Sequence, residues 1–281
     1  MRTALALLIL WSACPKTSAG VSAPDGYAGS AGSEQKEVKF TQMAPYSDDT
    51  NLTRHFGYRI DFPAYALTNE SFQVLIPVTY STNKAWGLLV WISPSDDPVL
   101  PSDWKVELEN RGLLFVAARR SGNERHPMDR FRLALDAACN MCRLYNVDRQ
   151  RIYIGGFSGG SRMASMLGVA YADIFTGALC ICGVNFYKSV AASGGKYFPA
   201  MFVPDPGVLS LAKRSRRFVL LTAGHDENRE NTQAISTNGF KREGFHHVLY
   251  LEVPGMAHAM PDAKVFKQAM EYLAGETEQG R

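Results

Sequence analysis

A pentapeptide at positions 156–160, Gly-Phe-Ser-Gly-Gly, constrains the fold of this chain more than any other stretch. Residues 151–155 before it are mostly apolar or β-branched, which indicates a buried strand. Residues 161–167 after it have apolar side chains at helical spacing. A serine between a strand and a helix needs a sharp turn, and the flanking glycines permit it because they have no Cβ atom. The turn would expose Ser158 at the start of a helix, where developing negative charge is stabilised.

The partners that such a serine needs follow it in the required order, an acid and then a histidine at the ends of later strands. Asp226 follows a predicted strand at 217–223, and His258 follows another at 247–253. Each side chain would lie just past the carboxyl end of its strand, at one edge of a parallel sheet. We therefore predict a catalytic triad of Ser158, Asp226 and His258.

Other residues compete for two of the three roles. Glu227 and Asp262 are alternative acids, although Asp226 is closer to the end of its strand. The alternative bases are His225 beside the acid, His246 and His247 at the start of a strand, and His55 and His126 before the serine.

The composition indicates a folded domain with a sizeable core. The chain has 281 residues, of which 46% are hydrophobic and 20% are charged. We expect one domain over 37–281, since nothing in the sequence marks a second. The net charge of +3 is too small to favour a nucleic-acid partner. The densest basic run, 213–217, directly precedes a predicted strand and is more typical of a solvated loop.

The first residues predict a signal peptide at 1–19. A positive start precedes an apolar run at 4–11 that is too short to span a bilayer. Two cleavage sites compete, one ending at Ala19 and one resembling a lipobox, which would lipidate Cys14 and tether the protein to a membrane. Residues 20–36 are rich in Gly, Ser and Ala, which predicts a flexible leader. Both interpretations predict export, to the periplasm or beyond the cell.

Four further cysteines leave two alternatives open. An even number in an exported chain is typical of disulfides, but burial as free thiols fits their places in predicted helices and strands equally well. Cys139 and Cys142 fall within a helix, and Cys180 and Cys182 within a strand. The C-x-x-C spacing at 139–142 lies in mid-helix without a nearby ligand, which argues against a zinc or redox site.

Strands and helices alternate along the rest of the chain. The predicted strands lie at 72–77, 87–92, 113–117, 151–155, 177–181, 217–223 and 247–253, and the predicted helices at 102–110, 129–145, 161–167 and 264–273. The first strand is expected to pair antiparallel with a neighbour around 58–62. Repeated strand–helix units predict an α/β fold, with a mostly parallel sheet and helices on both faces.

The segment 183–215 is long, irregular and rich in aromatic residues. It lies between the serine and the acid, where α/β folds insert lids or substrate-binding loops. We predict that Phe186, Tyr187 and Phe198 contribute to an apolar substrate site. The alternative is that these rings cover the core beneath a long loop.

Three motifs together resemble the α/β-hydrolase superfamily. They are the stretch 155–162 around the serine, the turn 224–228 and the Pro-Gly-Met-Ala-His sequence at 254–258. Within that superfamily the chain is similar to small exported esterases related to polyhydroxyalkanoate depolymerases and feruloyl esterases. The resemblance covers about residues 72–275. It implies hydrolysis of a small-molecule or polymeric ester, with no cofactor and no metal.

By position, the resemblance makes Ser158 the nucleophile, His258 the base, Asp226 the orienting acid and Gly159 the source of one oxyanion-hole amide. Many relatives have a His-Gly sequence after the third strand, which gives the second amide. The stretch 91–97 departs from this pattern and includes Pro94, which has no N–H group.

Ser93 or Ser95 must therefore donate the second amide to a conventional oxyanion hole, and Ser93 is the first candidate. Two other functions stay open from the sequence. One is a serine peptidase of the same fold, and the other is an exported binding protein that retains the fold without catalysis.

Overall fold

An eight-stranded sheet forms the centre of the computed structural model, which describes residues 34–57 and 63–276. In chain order its strands are β1 (Glu34–Val38), β2 (Phe72–Ile76), β3 (Trp86–Ile92), β4 (Leu113–Ala118), β5 (Val147–Phe157), β6 (Gly177–Ile181), β9 (Arg217–Ala223) and β10 (His247–Val253). Strands β7 (Val190–Ala191) and β8 (Tyr197–Phe198) form a separate short hairpin.

The strand order across the sheet is β1-β2-β4-β3-β5-β6-β9-β10. Strand β2 runs antiparallel to both β1 and β4, and every later pairing is parallel. Strands β3 and β4 are buried along their whole length. Their continuous apolar sequences suit a sheet that is covered on both faces.

Helices cover the two faces of the sheet. They are α1 (Asp49–Phe56), α2 (Ser102–Asn110), α3 (Pro127–Leu144), α4 (Gly159–Ala170), α5 (Pro206–Ser215), α6 (Arg229–Ala234) and α7 (Ala263–Ala274). Helices α1, α3, α4 and α5 share one hydrophobic core, and α2 and α7 share the other. The mostly parallel α/β fold predicted from the sequence is confirmed.

Local sequence signals explain where several helices begin and end. Helix α3 begins with Pro127, whose fixed φ suits the first helical position. Asp262 caps α7 by accepting a hydrogen bond from the Val265 amide at 2.9 Å. Gly275 ends the same helix with a φ of 76°, a conformation that glycine adopts without a Cβ clash.

Most predicted elements are present, with differences near the N-terminus. The predicted partner of β2 at 58–62 lies outside the described residues, and the observed neighbours of β2 are β1 and β4. Strand β1 begins at Glu34, so it includes the last three residues of the predicted leader, 20–36, and the rest of the leader lies outside the described residues. The predicted signal peptide, 1–19, also lies outside the described residues.

The segment 183–215 is less irregular than its sequence indicates, because it contains the β7–β8 hairpin and α5. Cys180 and Cys182 are buried free thiols, Cys142 is also buried, and Cys139 takes part in a disulfide. Within the described ranges, no helix combines the length and the apolar character needed to cross a bilayer.

Candidate active site

The turn between β5 and α4 holds Ser158 in a backbone conformation that few residues adopt. Its φ is 54° and its ψ is −121°. A Cβ atom on Gly156 would lie 2.5 Å from the Gly160 carbonyl oxygen, and one on Gly160 would lie 2.0 Å from the Ile92 oxygen. The backbone segments approach so closely that only glycine fits at these two positions, as the sequence motif requires.

The structure brings Ser158, Asp226 and His258 into one hydrogen-bonded chain. His258 Nε2 lies 2.9 Å from Ser158 Oγ, and His258 Nδ1 lies 2.9 Å from Asp226 Oδ1. Asp226 follows the end of β9, and His258 follows the end of β10. The Phe157 ring packs against the imidazole with its centroid 4.8 Å away. The geometry allows His258 to accept the serine proton while the carboxylate orients the ring.

Asp226 is buried, yet its surroundings favour the ionised form. Burial opposes ionisation, but hydrogen bonds from the Cys182 thiol, the Asn228 amide and His258 together outweigh it and lower the pKa of Asp226. The Asn228 N–H donates at 2.9 Å. A charged carboxylate at this point stabilises the imidazolium that forms when His258 takes a proton.

The competing acids and bases lie elsewhere. Glu227 is exposed, and Asp262 is the N-cap of α7. His225 is exposed beside the acid, and His246 and His247 lie at or before the start of β10. His55 is buried in α1, and His126 is the N-cap of α3.

The loop after β3 lies against the first turn of α4, where the oxyanion hole is predicted. The Ser95 N–H donates to Ser93 Oγ at 3.1 Å, so that amide is used within the loop. The Ser93 carbonyl carbon lies 3.1 Å from where a Cβ on Gly160 would be. Of the two serines considered from the sequence, Ser93 is the one whose amide remains a candidate beside that of Gly159.

Three further residues at this site did not stand out from the sequence. Asn123 packs on Gly159, since a Cβ there would lie 2.0 Å from Asn123 Oδ1. Arg130 donates to the Ser93 carbonyl, and Cys182 contacts Asp226. Asn123 and Cys182 follow the ends of β4 and β6, so the rule that located the triad could also have located them.

The three predicted substrate-binding aromatics divide into two groups. Phe186 and Tyr187 are buried and pack against Phe245, so the structure assigns them to the core, which corrects the prediction for these two. Phe198 instead lines a cavity of about 420 Å³, together with Arg162, Tyr197, Glu227 and Asn228 among others. Through Asn228, this cavity adjoins the loop that carries the acid.

The only three-ligand metal candidate among the described residues lies within the same site. Cys182, Asp226 and His258 each place a ligand atom within 4.8 Å of the others. Burial raises the pKa of the Cys182 thiol, and the neighbouring Asp226 raises it further, so the thiolate that a metal ion binds is disfavoured. A thiol and an imidazole that both face one carboxylate suit an acid–histidine pair better than a metal site.

The sheet order, the turn at Ser158 and the positions of the acid and histidine define the α/β-hydrolase fold. Solved structures share that fold at low sequence identity. A feruloyl esterase module from Clostridium thermocellum is 15% identical with a TM-score of 0.57, and the match covers 92% of this chain and 95% of the module. A thermophilic esterase from Thermogutta terrifontis is 14% identical with a TM-score of 0.51, and the match covers 87% of this chain and 91% of the esterase.

A peptidase also shares the fold. The acylaminoacyl peptidase of Pyrococcus horikoshii is 14% identical with a TM-score of 0.58, and the match covers 89% of this chain. This chain spans only 43% of that peptidase. No protein-family profile matches the chain, and no curated protein matches its sequence.

Proposed function

We propose that the chain is a serine hydrolase that cleaves carboxylic esters through Ser158. The observation that carries the proposal is the chain of two 2.9 Å contacts, from Ser158 Oγ to His258 and from His258 to Asp226. It lies at the carboxyl edge of the sheet, beside a cavity that a substrate can enter. We also propose export, on the basis of the signal sequence predicted at 1–19.

In the proposed mechanism His258 Nε2 takes the proton of Ser158 as Oγ attacks the ester carbonyl. Asp226 accepts the hydrogen bond from Nδ1–H and stabilises the imidazolium. The N–H groups of Gly159 and Ser93 hold the oxyanion, and the protonated histidine gives its proton to the leaving alcohol. A water molecule, activated by the same histidine, then hydrolyses the acyl-enzyme and restores Ser158.

An ester is favoured over a peptide by two observations. The feruloyl esterase module is matched over nearly its whole length, whereas the peptidase extends far beyond the matched region. The cavity beside the site is lined by Tyr197 and Phe198 with Arg162 and Glu227, which suits an aromatic or other apolar group that carries polar substituents. A peptidase of the same fold is the second candidate.

A fluorophosphonate and a matched pair of substrates test the proposal. Residues 20–281 should be labelled at Ser158 alone, and the chain should cleave the p-nitrophenyl ester of an N-acyl amino acid without measurable cleavage of its p-nitroanilide. Ser158→Ala should abolish both labelling and turnover, because loss of a triad member costs about a million-fold in a known serine hydrolase. Ser102→Ala, an exposed serine at the start of α2, is the control. Cleavage of the anilide that is lost in Ser158→Ala would identify a peptidase, and an unlabelled wild-type chain would exclude a serine hydrolase.

A further inference from the structure

Arg130 is a buried cation directly behind the predicted oxyanion hole. The residue is 4% exposed, and its Nη2 donates to the Ser93 carbonyl oxygen at 2.9 Å. Its Nη1 lies 3.5 Å from Asn123 Oδ1. Its Nε is buried without a hydrogen-bond partner. Across the part of the chain that the structure describes, no carboxylate is hydrogen-bonded to this guanidinium, and burial is the cause of its lowered pKa.

An unpaired buried charge is costly and needs an explanation. Arg132 lies on the same helix and is also 4% exposed, but it forms ion pairs with Asp49 and Asp129. Arg132 shows the usual arrangement of a buried arginine, in which carboxylates balance its charge. Arg130 lacks this arrangement, so packing alone does not explain it. Burial lowers the pKa of Arg130 to about 10, so it keeps its charge at neutral pH without a carboxylate to balance it.

The two groups that Arg130 contacts both touch the turn after the nucleophile, beside the Ile92 carbonyl. The Ser93 peptide lies on Gly160, and the Asn123 side chain lies on Gly159. Ser93 also precedes a proline, which restricts its backbone further. The guanidinium therefore fixes the loop that is expected to supply the second amide of the hole. It also places a positive charge close to where an oxyanion would form.

We propose that Arg130 is a positioning residue of the oxyanion hole, which holds the Ser93 peptide in place and stabilises the tetrahedral oxyanion by its charge. The inference rests on the proposed ester hydrolysis at Ser158. The bound ester is neutral and the oxyanion is not, so the charge of Arg130 acts on the transition state alone. Its loss lowers kcat and leaves KM nearly unchanged, because the guanidinium does not touch the substrate.

The test compares a charge-conserving variant with neutral ones. We expect Arg130→Lys to retain kcat within about fivefold and Arg130→Gln to lower kcat by at least about tenfold. That loss is a fraction of the roughly 10²–10³-fold fall in kcat when a direct oxyanion donor is removed. Each rate is divided by the concentration of sites that a fluorophosphonate titrates, so that misfolded protein does not count. Arg130→Met, which fills the same space with apolar atoms, replaces Arg130→Gln where the latter yields no titratable sites. Arg132→Lys and Arg132→Gln are the matched controls, with kcat per site within about twofold of each other.

The inactivation rate by the phosphonate is the second readout. It should fall in Arg130→Gln by the same factor as kcat/KM, since both reactions place a negative oxygen in the hole. Equal kcat per site in the Lys and Gln variants of Arg130 would overturn the proposal, as would a rise in KM that accounts for the whole loss. An inactive, unlabelled wild-type chain would instead refute the proposed function itself.

Discussion

At the scale of single residues, Asp226 and Glu227 are adjacent carboxylates in opposite surroundings. Asp226 is buried and hydrogen-bonded to His258, whereas Glu227 is exposed and lines the neighbouring cavity. We predict that Asp226→Asn lowers kcat by about 10⁴-fold, because an amide at this position favours the wrong tautomer of the histidine. Glu227→Gln should change kcat by less than about threefold, as exposed substitutions usually do. Steady-state rates per titrated site measure both, and the reverse result would make Glu227 the acid.

The three residues of the hydrogen-bonded chain could be predicted from the sequence because each follows its own apolar strand, and their order is that of the α/β-hydrolases. Arg130 could not be found in this way because it lies within α3, and the end of β4 gives the place of Asn123 but not its role. Their importance depends on contacts with Gly159 and Ser93, which come from other strands. A sequence gives the end of each strand, but it does not give which ends are neighbours.

At the scale of elements, the turn between β5 and α4 depends on the approach of Gly160 to β3. A Cβ on Gly160 would lie 2.0 Å from the Ile92 carbonyl oxygen, and two backbone segments would have to separate. We predict that Gly160→Ala destabilises the fold by about 3 kcal/mol, the upper part of the range for overpacking. Thermal unfolding of Gly224→Ala gives the comparison, since a Cβ there meets nothing closer than 3.5 Å. Equal melting temperatures would show that the turn relaxes freely.

The segment between β6 and β9 contains one aromatic residue that lines the cavity, Phe198, and another that belongs to the core, Phe186. Phe198→Ala should lower kcat/KM for a bulky aryl ester by about 10-fold or more, the scale of one lost apolar contact, and leave an acetyl ester nearly unaffected. Phe186→Ala should instead lower stability by about 3–5 kcal/mol and leave the ratio of the two esters unchanged. Chemical denaturation and rates on both esters test the pair. An altered ester ratio in Phe186→Ala would return that ring to the substrate site.

The elements that the sequence predicts well are those with continuous apolar runs. Strands β6, β9 and β10 have their predicted bounds, because apolar residues predominate in each, although only β6 and β9 are buried along most of their length. Strand β1 could not be predicted from an apolar pattern, since it lies at the edge of the sheet and four of its five residues are polar or charged. The β7–β8 hairpin, with two residues in each strand, is too short to produce a periodic signal.

At the scale of the whole molecule, the parallel sheet brings distant parts of the chain to one edge. Ser158 and His258 are 100 residues apart in the sequence, and their side chains are 2.9 Å apart. The fold class follows from the alternation of strands and helices, but the order of strands across the sheet comes from the three-dimensional packing. This is why the aromatic residues near the site could be listed from the sequence, while their division between core and cavity could not.

Helix α1 is joined to α4, the helix that follows Ser158, by a buried histidine whose contacts require the neutral form. His55 is fully buried and stacks on Tyr171, with ring centroids 4.0 Å apart. Its Nδ1 lies 2.6 Å from the Ala170 carbonyl oxygen at the end of α4, and its Nε2 lies 3.2 Å from Arg54 Nη2. An Nδ1–H donor and an Nε2 acceptor satisfy both contacts, whereas a protonated ring would turn a second N–H toward the arginine.

The fold should therefore lose stability in mild acid through His55. Burial lowers its pKa from 6.5 to about 4, so the unfolded chain takes up the proton first as the pH falls. The contribution is complete above pH 6.5, decreases as the pH falls, and is lost at about pH 4. We predict that wild type loses about 2–3 kcal/mol relative to His55→Asn between pH 7 and pH 4, since one pKa unit is about 1.4 kcal/mol. The asparagine keeps a donor for Ala170 and does not titrate. Urea unfolding of both chains across this range measures the difference, and parallel pH profiles would contradict the neutral-histidine account.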